Sequence, residues 1–178
     1  QRQMCIRDSN METVLTLETF SLKRNAAIAR ISYAMFDIEN GEIFLEKHLN
    51  VDANLIDIQL FDIDAETINW IETLDKDVQE TFFSNSQPLF NVLNEINGDD
   101  IWNTNVWCNT SFDAPILLNA YDTLNFKGPT MYKFKDISTL CYISNLPMMK
   151  KTHNGIKDIP MMVNLISSSY NKIKYGEY

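Results

Sequence analysis

A chain of 178 residues with 45% hydrophobic and 22% charged side chains is long enough for one domain with a real core, and its 5 Gly and 5 Pro exclude collagen-like and low-complexity architectures. The formal net charge of −9 excludes the broad basic footprint of most nucleic-acid-binding surfaces, although carboxylates gathered around divalent cations are compatible with it. Cys5, Cys108 and Cys141 form no CxxC pair and no even-numbered disulfide framework, which points to a reducing, cytoplasmic setting, and no apolar run approaches the ~20 residues of a membrane span.

Residues 1–10 fit no element: no apolar stretch follows Arg2 and Arg7, so they do not read as a signal peptide. They are expected to be a non-native leader ahead of one domain over residues 11–178. Val14, Leu15 and Leu17 then predict a short apolar strand that ends at Glu18, followed by a polar loop through Ser21, Lys23, Arg24 and Asn25. The β-branched and aromatic residues Ile28, Ile31, Tyr33 and Phe36 predict a longer strand over Ala26 to Asp37. Glu39-Asn40-Gly41-Glu42 is a hairpin signal, and Ile43 to Asn50 supplies the partner, which gives a three-stranded meander.

Helical spacing follows. Asp64 reads as an N-cap ahead of Ile68, Ile71 and Leu74; Val78, Phe82 and Phe83 predict a second helix; Pro88 to Ile96 predicts a third, stopped at Asn97-Gly98. Ile101 to Cys108 reads as a strand, Ser111 as the cap of a helix carrying Phe112, Asp113, Ile116, Leu117 and Tyr121, and Met131 to Phe134 as a further strand. Asp136 begins a short helix. Asn154 caps a final one whose buried side holds Ile156, Ile159, Met162, Ile166, Tyr170 and Ile173. The order βββα(αα)βαβαα predicts an α/β fold, a mixed sheet flanked by helices.

Taken singly, the chemically active residues read plainly. Glu18 is a carboxylate at a strand end, Asp113 a favourable partner of a helix N-terminus, His153 a helix-entry residue and His48 a structural or exposed one. Trp70 and Trp107 read as core aromatics, and Lys23, Arg24, Lys150 and Lys151 as solvated charge. A serine-hydrolase triad on Ser111 and His153 lacks a nucleophile elbow.

Their order along the chain carries more. Val14-Leu15-Thr16-Leu17-Glu18-Thr19, Trp107-Cys108-Asn109-Thr110-Ser111-Phe112-Asp113, Lys135-Asp136-Ile137-Ser138-Thr139-Leu140 and His153-Asn154-Gly155-Ile156-Lys157-Asp158 resemble, in sequence, the motifs of the DEDDh-type 3′-to-5′ exonucleases. The likeness is to the RNase T-like and phage exodeoxyribonuclease-type members, and it runs through nearly all of residues 11–178. It implies a ribonuclease-H-like fold, a five-stranded mixed sheet in which a three-stranded antiparallel meander is joined by parallel strands. It also implies hydrolysis of the terminal phosphodiester of a single-stranded DNA or RNA 3′ end with Mg²⁺ or Mn²⁺, two ions in all, and it allows a homodimer.

By the same resemblance Glu18 and Asp158 hold the water-activating metal, Asp113 serves the leaving-group side, His153 is the general base, and Thr19, Asn25 and Phe112 contact the substrate. The chain departs from the pattern at Thr16, where the family has an aspartate that bridges both ions. One or both metals are therefore expected to be weakened, most of all beside Asp113. The alternative this raises is a degenerate exonuclease fold kept as a nucleic-acid-binding or interaction module. The Trp107–Asp113 loop is one residue shorter than usual, and Pro160 is expected to delay or kink the last helix, which bears on the geometry of His153 and Asp158.

Overall fold

The computed structural model describes residues 10–83 and 86–176. Strand β1 (Met11–Thr19) is covered on both faces and buried from Thr13 to Thr19, where Thr13, Thr16, Glu18 and Thr19 are buried beside Val14, Leu15 and Leu17. It pairs antiparallel with β2 (Ile28–Asp37), which pairs antiparallel with β3 (Ile43–Asn50). On its other edge β1 pairs parallel with β4 (Val106–Cys108), and β4 pairs parallel with β5 (Phe134–Asp136). The sheet order is β3-β2-β1-β4-β5, the mixed five-stranded sheet expected from the sequence.

The helices are α1 (Ala65–Ile71), α2 (Lys76–Phe83), α3 (Leu89–Gly98), α4 (Asp113–Thr123), α5 (Ile137–Ser144) and α6 (Gly155–Tyr175). Leu15 and Leu17 of β1 face a core built with Ile71, Val92, Leu93, Ile96, Leu117 and Tyr121, so α1, α3 and α4 cover that side of the sheet. Val14 faces a second core with Ile137, Cys141, Ile159, Met162 and Ile166 of α5 and α6. Side chains alternate along a strand, so Thr16 and Glu18 share the side of Val14, under the start of α6. Among the described residues no helix is long and apolar enough to cross a membrane.

The caps predicted at Asp64 and Asn154 form, and Asp136, expected to begin its helix, caps it. Asp64 accepts the Thr67 N–H at 2.9 Å, Asp136 the Thr139 N–H at 2.7 Å, and Asn154 the Ile156 N–H at 3.1 Å. Ser111 does not cap α4: its hydroxyl and N–H both go to Asn109 Oδ1, and Asp113 opens the helix while its own carboxylate accepts the Asn109 N–H. The strand predicted over Ile101 to Cys108 is strand only from Val106. Asp100 sits in the left-handed region at φ 58°, and a 3-10 turn over Ile101–Asn103 buries Ile101 and lets the Trp102 indole N–H reach Asn97 Oδ1 at 2.7 Å. Likewise Met131–Lys133 is a 3-10 turn, and the strand begins at Phe134.

Helix α6 neither starts late nor stops at Pro160; it runs unbroken from Gly155 to Tyr175. Pro160 lies in its second turn, where the missing N–H removes only one backbone bond, the one to the Ile156 carbonyl. Ile156 and Ile173 are exposed, and the buried stripe is Ile159, Met162, Val163 and Ile166. Of the expected leader, residues 1–9 lie outside the described residues, and the Asn10 carbonyl accepts the Ile38 N–H at 3.0 Å.

Gly155 lets α6 approach the sheet. A Cβ there would lie 1.9 Å from Ser32 Oγ and 2.6 Å from Ser32 Cβ, and the second contact cannot be relieved by rotating the hydroxyl. Gly155→Ala is therefore expected to destabilise by about 1–3 kcal/mol, despite the better helix propensity of alanine. Gly98, in α3, has nothing within 4 Å of its added Cβ, so Gly98→Ala serves as the control. Thermal melts of the two variants should move in opposite directions or differ clearly in size; equal melting temperatures would show that α6 can back away freely.

Candidate active site

Strands β1 and β4 are parallel, so their carboxyl ends open on the same edge of the sheet. In open α/β sheets that edge is where ligands bind. Here it carries Glu18 from the end of β1, Asp113 from the start of α4, Lys151 and His153 from the loop before α6, and Asp158 from the first turn of α6.

Asp113 is fully buried and pinned by backbone: Oδ1 accepts the Leu17 N–H at 3.2 Å and Oδ2 the Asn109 N–H at 2.9 Å. The short Trp107–Asp113 loop thus leaves Asp113 held against β1. Burial pushes its carboxyl pKa up, while the Lys151 ammonium and the two backbone donors act against that rise and neighbouring Glu18 adds to it. Asp158 is also fully buried, with Oδ1 accepting both the N–H and the hydroxyl of Thr152 at 2.8 Å. Glu18 is paired across the strands with buried Arg30, whose guanidinium Nε donates to Asn50 Oδ1 at 2.6 Å. A fixed cation therefore lies beside this buried carboxylate.

His153 stands at φ 58°, a left-handed conformation that L side chains seldom adopt and that costs on the order of 1–3 kcal/mol where held. Its Nδ1 lies 3.8 Å from Glu18 Oε2, an ion-pair contact too long for a hydrogen bond. Glu18 raises the imidazole pKa above its ordinary value, partial burial opposes this, and Asp158 adds to the rise. The imidazole also meets the Trp70 ring edge-on, with centroids 4.7 Å apart.

Glu18 and His153 border a cleft of about 500 Å³ lined also by Leu17, Thr19, Trp70 and Phe112, with Lys151 on its wall; the fully buried Asp113 and Asp158 do not line it. Thr19 and Phe112 thus lie where the sequence placed substrate contacts. Asn25 does not; it is exposed, and its carbonyl accepts the Asp62 N–H at 2.8 Å. Trp70, read as a core residue, is 41% exposed and forms part of the cleft wall, because it lies off the Ile68 and Ile71 side of α1.

Thr16, at 1% exposure, has a partner that was read as solvated charge: the Lys151 Nζ donates to Thr16 Oγ1 at 2.7 Å. The signal for it lay in the sequence as a lysine two positions before His153, in a chain whose first motif had lost a negative charge.

Two buried carboxylate oxygens here, Glu18 Oε1 and Asp158 Oδ2, have no hydrogen-bond partner among the described residues. Such hard, orphaned oxygens are the donors a Mg²⁺ or Mn²⁺ ion takes. The Thr16 and Asp113 side does not fit a second ion. Its hydroxyl is bound to an ammonium, and both Asp113 oxygens are engaged by backbone. Among the described residues no three His, Cys, Asp or Glu side chains are grouped as one metal site. Glu18, Asp113, His153 and Asp158 therefore do not form such a group here, and Thr16 offers a hydroxyl where the motif would carry a carboxylate.

A family model described as the 3′-5′ exoribonuclease Rv2179c-like domain matches residues 11–167. No curated protein matches the chain in sequence. Among solved structures, the nuclease domain of 3′hExo, a DEDDh family member bound to rAMP, is 10% identical at a TM-score of 0.61, covering 94% of this chain and 93% of that one. E. coli exonuclease I in complex with a 5cy-dA13 oligonucleotide is 12% identical at a TM-score of 0.61; the match covers 92% of this chain and 40% of that longer one. The Mg²⁺- and Mn²⁺-bound form of S. pombe Pop2p is 11% identical at a TM-score of 0.53, with 98% and 88% covered. At these identities the likeness shows a common ribonuclease-H-like fold.

Proposed function

We propose, from the premise that this chain belongs to the Rv2179c-like 3′-5′ exoribonuclease domain family, that it removes nucleotides from the 3′ end of single-stranded RNA. The observation that carries this reading is the gathering of Glu18 and His153 with the aromatics Trp70, exposed, and Phe112, partly buried, around one cleft at the carboxyl ends of β1 and β4. RNA is chosen over DNA on the description of the family.

In this reading the terminal base enters between Trp70 and Phe112, where stacking contributes ~1–3 kcal/mol per base without selecting its identity. The Thr19 hydroxyl already donates to the Ser21 carbonyl at 2.6 Å, so toward substrate it can only accept. Glu18 faces His153 Nδ1 and favours a proton there, which leaves Nε2 with the lone pair that takes the proton from the attacking water. Glu18 and Asp158 would hold a divalent cation, which supplies Lewis-acid stabilisation of the charge that builds on the phosphate. Asp113, tied to β1 and β4, holds the two strand ends in register beside the scissile bond.

The test is incubation of 5′-labelled single-stranded RNA and DNA with Mg²⁺ or Mn²⁺ and separation of the products by length. The expected result is a ladder shortened from the 3′ end, faster for RNA. A tight complex that leaves every strand intact in both metals would overturn the hydrolytic reading in favour of a nucleic-acid-binding module, the reading that the Thr16 to Lys151 bond supports.

A further inference from the structure

Lys151 lies outside the motifs that the sequence resembles, yet it reaches the residue where the chain departs from them, Thr16. Its ammonium bonds to the hydroxyl of Thr16 on the central strand, across 135 residues of chain. It also acts electrostatically on Asp113 and His153, and so lies among the groups that a metal pair would occupy. Two charge effects run the same way: Thr16 lacks the negative charge that the motif would carry, and Lys151 brings a positive charge to the same place. Together they raise the local charge by two, which is the charge of one Mg²⁺ or Mn²⁺ ion. Glu18 Oε1 and Asp158 Oδ2, by contrast, remain buried and have no hydrogen-bond partner among the described residues.

We propose that the Lys151 ammonium stands in for one of two divalent cations beside Asp113, so that the site takes a single exchangeable metal ion from the side of Glu18 and Asp158. The fixed charge does there what a bound ion would do electrostatically: it offsets the buried Asp113 carboxylate and repels a second ion from the Thr16 side. It cannot replace the ion as a polydentate centre, since an ammonium has only three donors and no vacant coordination position. The inference rests on the nuclease reading for the identity of the site, but its readout needs no substrate.

The test counts Mn²⁺ bound to the full chain by titration, following the free ion by electron paramagnetic resonance. One ion per chain is expected for the wild type and two for the double variant Thr16→Asp, Lys151→Met. Should the double variant fail to melt cooperatively, Lys151→Met alone decides, because removing a unit positive charge near the ion is expected to tighten Mn²⁺ binding by roughly tenfold or more. Two ions on the wild type, none at all, a folded double variant that still binds one, or an unchanged affinity in Lys151→Met would each overturn the proposal. Any of these results can arise whether or not RNA is shortened, so the failure of this inference and the failure of the exonuclease reading are separately visible.

Discussion

Asp158→Asn is expected to keep its fold and lose roughly a thousandfold in strand shortening, the consequence of removing about 4 kcal/mol of transition-state stabilisation. The substitution is nearly isosteric. The remaining amide oxygen can still accept the N–H and hydroxyl of Thr152, which now bond to Oδ1 at 2.8 Å. The amide nitrogen then falls where Oδ2, buried and without a partner, stands free for a cation. An NH₂ group donates and carries no charge, so the ligand is lost while the loop stays anchored. Single-turnover shortening of labelled RNA measures the first effect and a thermal melt the second. Activity within tenfold of wild type, in a variant that melts normally, would remove Asp158 from the site.

His153→Ala should cost about 10²–10⁴-fold in turnover, the usual worth of a positioned general base. The pH profile separates this role from a structural one. The neutral imidazole is the form that accepts a proton, and Glu18 raises its pKa against partial burial. The rising limb of kcat/KM is therefore shifted upward: activity is low where the ring is protonated and climbs with pH through a midpoint above the ordinary value of ~6.5. The alanine variant should lack that limb. A midpoint at or below the ordinary histidine value, or an identical limb in the variant, would assign the ionisation to another group.

The sheet was legible in the sequence because its signals are local and repeated. The apolar, β-branched and aromatic residues of the first three strands, the turn at Glu39 to Glu42 and the helix starts at Asp64, Asp136 and Asn154 each state their structure within a few residues. What was misread depended on partners distant in the chain. Ile101 and Trp102 look like strand residues until Asn97 is available to the indole, and Ser111 looks like a cap until Asn109 takes both its donors. Glu18, Asp113, His153 and Asp158 were singled out through motif order, not through any property of the single residues. Trp70 and Lys151 escaped for the converse reason: each has a bland local reading, and only the tertiary structure brings them to the cleft.

The final loop and helix must also arrive before any chemistry can. The first strand presents its carboxylate to an edge that stays half-built until the chain has returned across the 135 residues separating Thr16 from Lys151. Ring closure over such a distance is entropically unfavourable and slow relative to local pairing. A polypeptide still emerging from the ribosome would thus carry the sheet without Lys151, His153 and Asp158 at its edge. On the proposed reading, strand shortening would have to wait for that late docking event.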